Sequence, residues 1–199
     1  MSPASVVAAN LSRYEFRVGD SVDFFQLYSI KKEFLLDLNE LKLKQKMLLK
    51  KTHPDLFVNS TAVEKKVASE FATLVNKAFG VLRDPLTRGE HLCSILGLQF
   101  DMENIKLTNI NLLEKQFEIR SELDEIKKNY SSKKSSLVER FGQELETNIN
   151  QMLLKIDKSF KGLDLKDSDS TNSLTEQLAN LAFLIKARYE LGEVKRSQV

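Results

Sequence analysis

Two apolar-periodic stretches, separated by a proline that neither can absorb, constrain this chain most. Leu38 to Thr52 repeats candidate buried positions at Leu38, Leu41, Gln45, Leu48 and Thr52, at helical spacings of three and four. Ala62 to Leu82 repeats Val63, Val67, Phe71, Leu74, Ala78 and Leu82. Between them stands His53-Pro54-Asp55, followed by a predicted loop over Leu56 to Ser60. A proline pushes its predecessor away from helical angles, so the first helix ends at or before His53. Asp37, with Glu40 three residues on, resembles a capping box and sets the start near Leu38. The pattern predicts an antiparallel helical hairpin with its polar residues at the tip.

The flanking segments read as helices too. Val22 to Ile30, with Phe24, Phe25, Leu27 and Tyr28, predicts a short helix docked on the hairpin. Asp84-Pro85 closes the second hairpin helix and caps a third, which carries Leu86, Leu92 and Ile95 and ends at Gly97. Residues 99–109 read as a linker. Three long helices follow. The first runs from a cap at Asn109 to about Lys128. The second, Leu137 to Phe160, buries Leu137, Phe141, Leu145, Met152, Ile156 and Phe160. The third, Leu174 to about Val194, buries Leu174, Leu178, Leu181, Ile185 and Tyr189. A break at Ser131 to Ser136 and a flexible Asp- and Ser-rich loop at Asp164 to Ser173 separate them. Only 7 Gly and 3 Pro in 199 residues suit long helices and argue against an all-β fold. The expectation is all-α: a hairpin domain over 21–98, then a three-helix bundle over 110–199. Residues 1–20 read either as a flexible tail or as a weak targeting segment: Met1 to Tyr14 lacks any acid.

The helix after Asn109 carries one apolar stripe too many. Leu112, Ile119, Leu123 and Ile126, with Gln116, share a core face. Ile110, Leu113 and Phe117 project more than ~100° away. That second stripe either packs on the first domain or is exposed as a binding patch. Glu114, Glu118, Arg120 and Ser121 surround it as a polar rim. Phe183 lies off the core stripe of the last helix. If the two helices are neighbours, Leu113, Phe117 and Phe183 form one surface.

Charge and chemistry narrow the function classes. A net charge of +2 gives no global attraction to nucleic acid. Lys42, Lys44, Lys46, Lys50 and Lys51 fall on the outward half of the first hairpin helix, with Leu43 and Met47 between them, and no aromatic residues interleave as a nucleic-acid face requires. The single cysteine, Cys93, excludes an internal disulfide and a cysteine-based metal cage. His53, Asp55 and His91 raise the prospect of acid–base or metal chemistry. A proton-transfer dyad needs a substrate pocket, and a zinc site needs ligands at a supporting spacing. The sequence supplies neither, and no nucleophile–base pair or phosphate loop.

The hairpin residues Lys50-Lys51-Thr52-His53-Pro54-Asp55 resemble the J-domain of DnaJ-type co-chaperones. The ordered segments FFQLYSI, KTHPDLF, NKAFGVLRDPLTRGEHLCSILG and LLEKQFEIRSELDEI are similar to those of the HscB/Jac family, the specialised J-proteins of iron–sulfur cluster assembly. The resemblance runs from about Phe24 to Ile126, and more loosely through the last helix. It implies a DnaK-class ATPase chaperone engaged through His53, Pro54 and Asp55, with Lys42, Lys46, Lys50 and Lys51 meeting acidic groups on that chaperone. It also implies an IscU/Isu-type iron–sulfur scaffold bound by the bundle through Leu113, Phe117 and, on the last helix, Phe183. Glu114, Glu118, Arg120 and Ser121 take the polar positions. Glu114 stands where some members carry an apolar residue and Ser121 where some carry an acid. The family role is non-enzymatic, and the cluster belongs to the scaffold, so no cofactor is implied here. Some relatives carry an N-terminal cysteine-pair zinc module, and this chain has no such cysteines. A general J-protein whose bundle serves oligomerisation or another client is the alternative. The family and the lysine- and asparagine-rich composition imply a mitochondrial matrix protein, with a bacterial cytoplasm as the alternative.

Overall fold

The computed structural model describes residues 22–98, 109–129 and 135–196. These are helical with no strand among them, and they divide into two compact units at Gly97–Leu98. The tail, most of the 99–109 linker, and residues 131–134 of the predicted break lie outside the described residues.

In the first unit, α1 (Phe24–Tyr28) is capped by Asp23, whose side chain accepts from the backbone N–H groups of Phe25 and Gln26. Helix α2 (Leu38–Lys50) is capped by Asp37, while the Glu40 carboxylate pairs with Lys44 at 2.9 Å. Helix α3 (Ala62–Arg83) opens with a full capping box between Thr61 and Glu64. Helices α2 and α3 form the predicted hairpin. Gln45, the polar gap in the α2 stripe, donates to Asn76 Oδ1 at 3.1 Å across it. Tyr28 donates to the Val75 carbonyl at 2.9 Å, pinning α1 to the middle of α3.

The buried stripe of α3 is Ala68, Phe71, Val75, Ala78 and Leu82. The expected stripe began on a different line, and Val63 at its head is exposed, as is Leu38 at the head of α2. Both sit in first turns, where no neighbouring helix covers them. Helix α4 (Pro85–Ile95) starts as expected on the Asp84 cap, with Gly97 in the left-handed region that ends it. Its buried line is Arg88, Gly89, Leu92 and Cys93. Arg88 donates to the Leu82 carbonyl at 2.7 Å and lies 5.3 Å from the Phe34 ring centroid, a cation set against the C-terminus of α3.

In the second unit, α5 (Ile110–Asn129), α6 (Ser135–Lys161) and α7 (Ser168–Arg196) form a three-helix bundle. Helices α6 and α7 run antiparallel, with Glu146 paired to Arg188 and Ser159 bonded to Gln177. Helix α5 runs parallel to α7, with Gln116 bonded to Asn180 and Arg120 to Glu190. The core joins Ile119 and Leu123 with Val138, Phe141, Leu145, Ile149 and Ile156, and with Leu174, Leu178, Leu181, Leu184, Ala187 and Leu191. Leu137 and Tyr189, expected inside, are exposed, and Ile185 is half-buried. The core line sits one position away at Val138 and Leu184, and two positions away at Leu191. The segment expected to be a flexible loop is mostly helix. Asp167 accepts from the N–H groups of Asp169 and Ser170, and α7 begins at Ser168. The Asp and Ser residues there cap a helix rather than loosen a loop.

Candidate functional site

The hairpin tip is built by a short 3-10 helix, Pro54–Phe57, where the sequence suggested an open loop. Pro54 occupies its first position, and the His53 carbonyl accepts from the Leu56 N–H at 3.0 Å. Phe57 is buried and anchors the turn, and buried Thr52 bonds back to the Leu49 carbonyl at 3.0 Å. His53 and Asp55 are exposed above these anchors. His53 Nδ1 lies 3.4 Å from the Asp55 N–H and 3.3 Å from Asp55 Oδ2. Unprotonated, Nδ1 accepts from the N–H; protonated, it donates to the carboxylate. Either way the two side chains present one donor–acceptor edge to a partner.

Lys42, Lys46, Lys50 and Lys51 are exposed on α2 and its C-cap, with exposed Leu43 and Met47 among them. Lys44 departs from this set. Its ammonium donates to the Ser29 carbonyl at 2.7 Å, so it is half-buried and ties α2 to the end of α1. His91 lies in α4, stacked on Phe24 at 4.4 Å between centroids, and its Nε2 accepts the Phe24 N–H at 3.1 Å. Burial pushes its pKa down, with Asp23 opposing. Cys93 is fully buried, and burial raises its thiol to about 12, which leaves little thiolate for metal binding or attack at neutral pH. Both thus have structural environments, and no sequence signal showed that His91 would face α1.

On the second unit, Ile110, Leu113 and Phe117 are exposed along α5, Phe117 at 75% of its full area. Glu114, Glu118, Arg120 and Ser121 flank them at the surface. Phe117, Glu118 and Ser121 line a groove of about 560 Å³ against Leu137, Val138 and Arg140 of α6, with Glu122 and Glu125 along its edge. Phe183 is half-buried and lines a separate cavity of about 220 Å³ with Arg120, Leu123, Lys186, Ala187 and Glu190. Leu113 and Phe117 thus lie along α5 between a carboxylate-edged groove towards α6 and a smaller cavity towards α7. Pattern reading missed Glu122 and Glu125, further along α5 itself, and Lys186 and Glu190, which reach this face only because α7 lies beside α5.

A helical hairpin with an exposed His-Pro-Asp tip, followed by a separate three-helix unit, is the arrangement that the J-protein resemblance implies. The comparisons with known proteins agree. No family model matches the chain. The Co-chaperone protein HscB homolog of Shewanella halifaxensis (strain HAW-EB4) is 28% identical over 175 residues, covering 87% of this chain and 97% of that protein. Chaperone HscB from Vibrio cholerae has the same fold, with a TM-score of 0.73 and 22% identity over 89% of this chain and all of that one. The human co-chaperone protein HscB matches with a TM-score of 0.73 and 20% identity, over 90% of this chain and 83% of that one. The HscB-type resemblance read from the sequence and the all-α fold are thereby borne out. The sequence relative is named a co-chaperone, a non-enzymatic role. It is bacterial, in keeping with the bacterial-cytoplasm alternative, and gives the mitochondrial matrix no support. Among the described residues no helix is long and apolar enough to cross a membrane.

Proposed function

We propose that this chain is a J-protein adaptor that binds an IscU/Isu-type iron–sulfur scaffold and delivers it to a DnaK-class chaperone, whose ATPase it stimulates. Residues 21–98 act as the J-domain and 110–199 as the scaffold-binding domain, joined by 99–109. The observation that carries this reading is the pairing of an exposed His-Pro-Asp tip on one unit with an exposed Leu113–Phe117 stripe on the other. His53, Pro54 and Asp55 dock on the chaperone. Lys42, Lys46, Lys50 and Lys51 steer that docking, since rim charges chiefly raise association rate and fix orientation. Leu113 and Phe117 supply the apolar anchor for the scaffold, with Phe183 in the separate cavity towards α7 and Glu114, Glu118, Arg120 and Ser121 around the anchor. The adaptor performs no chemistry. It binds one conformation of the chaperone better than another, and the chaperone hydrolyses ATP.

The deciding experiment is the chaperone's steady-state ATPase with this protein, with and without purified scaffold. More-than-additive stimulation is expected with both present. His53→Gln should abolish the stimulation and leave scaffold affinity intact. Stimulation by this protein that the scaffold does not alter would favour a general J-protein with a different client.

A further inference from the structure

Glu190 of α7 gathers two cations from α5. Arg120 Nη1 donates to both of its carboxylate oxygens, at 3.1 and 3.0 Å, and Lys127 Nζ donates to Oε2. The carboxylate is the sheltered member, its side chain 19% exposed against 49% for Arg120 and 35% for Lys127. Arg120 Nε also lies 3.6 Å from Asp124, one turn along α5. These bonds from Lys127 and Arg120 hold the Glu190 carboxyl below its ordinary pKa.

The position of the cluster matters more than its strength. Arg120 and Lys127 are seven residues apart, two helical turns, on the edge of α5 that also carries Gln116. Gln116 donates to Asn180 Oδ1 of α7 at 2.9 Å. Polar ties to α7 therefore run along α5 from Gln116 to Lys127. The buried apolar anchor of α5 is narrow, consisting of Ile119 and Leu123. A helix held by so short a core line can roll about its axis, and the tied edge sets the angle at which it rests. That angle decides how Phe117, one turn before Arg120, is presented. The Arg120–Glu190 pair also walls the cavity beside Phe183.

We infer that Glu190 is a positioning residue for client binding. Held by Arg120 and Lys127, it fixes the rotational setting of α5 against α7, which aims Phe117 and shapes the cavity at Phe183. Arg120 then acts through α7 rather than by touching the client. The inference rests on the reading of the Leu113–Phe117 face as the scaffold site.

The test is calorimetric titration of the full-length protein with purified IscU-type scaffold, alongside thermal melts. Glu190→Lys is expected to weaken binding about tenfold, as remote positioning changes do. The triple variant Arg120→Glu/Lys127→Glu/Glu190→Lys, which reverses the clamp, is expected to recover most of that affinity. Recovery separates positioning from direct contact, because an Arg120 that touched the scaffold could not be replaced by glutamate. Leu113→Ala/Phe117→Ala serves as the reference. If it loses affinity while Glu190→Lys keeps it, the inference is overturned and the scaffold reading stands. If the reference variant itself keeps affinity, the scaffold reading falls and the inference with it. Loss in Glu190→Lys without recovery in the triple variant also overturns the inference. Should Glu190→Lys unfold the bundle, the isosteric Glu190→Gln is held to the same criteria.

Discussion

His91 Nε2 accepts the backbone N–H of Phe24 at 3.1 Å, so an imidazole of α4 satisfies the first helical N–H of α1. Helix N-termini leave such donors unpaired, and Asp23 already serves the next two. The bond requires an unprotonated Nε2. Burial lowers the folded-state pKa of His91. The sign follows from linkage: the unfolded chain takes up the proton first as pH falls below about 6.5. The stability His91 contributes is whole above that pH and is lost below it, towards the lower folded value. His91→Phe keeps the ring but neither accepts nor titrates, and it should cost about 1–3 kcal/mol at pH 7.5 by leaving the donor unpaired. The gap between wild type and variant, from denaturant melts, should narrow from pH 7 to pH 5. Asp23, which is also bonded to Lys32, faces the imidazole and opposes the downward shift that burial causes. A constant gap would refute the role.

Phe57→Ala should destabilise the first unit by about 3 kcal/mol, because its ring fills the space under the 3-10 turn. Chaperone ATPase stimulation should fall too, although the ring itself is buried. Retained stimulation in a folded variant would show that the tip keeps its shape without this anchor.

Leu113→Ala/Phe117→Ala should shift the melting point little, since exposed positions usually change stability by about 0.5 kcal/mol or less each. Leu123→Ala on the same helix removes a fully buried side chain and should cost about 2–5 kcal/mol. Scaffold titration should rank them the other way, with the surface pair losing at least about tenfold in affinity. Equal scaffold affinities in wild type and the surface pair would remove α5 as the docking helix.

The Cys93 thiol should resist aromatic disulfide reagents at pH 8 in the native protein and react at once in denaturant. It is fully buried, and burial holds it at about 12. Labelling kinetics then report opening of the first unit. Rapid native labelling would contradict the packing of α4.

Gly80→Ala should raise stability by about 1 kcal/mol. Gly80 lies inside α3, with no heavy atom within 4 Å of where a Cβ would stand apart from its chain neighbours and the local helix backbone. An unchanged or lowered melting point would point to a constraint on α3 that its packing does not show.

The punctuation of this fold was legible in the residues themselves. Asp37, Asp84 and Asn109 sit where helices begin, and Pro54, Pro85 and Gly97 stand where one element gives way to another. Capping and proline sterics are local, so sequence neighbours suffice to predict them. The punctuation error at Asp164 to Ser173 came from residues that favour caps and loops alike. The tertiary backbone made Asp167 a cap.

The sequence by itself also determined that a hairpin carries His53, Pro54 and Asp55 at its tip, and that α5 bears more apolar surface than one core face requires. Only the tertiary structure decided which stripes were covered. Val63 and Leu38 are exposed and Val75 buried because partner helices, not periodicity, select the buried line. Likewise, the packing of α6 and α7 covers Ile119 and Leu123 and leaves Leu113 and Phe117 open. Arg120 looked like one rim charge among several. Its pairing with Glu190, 70 residues away, exists only once α5 lies beside α7. Helical periodicity is intrinsic to a segment, whereas burial and ion pairing depend on which other segments arrive beside it.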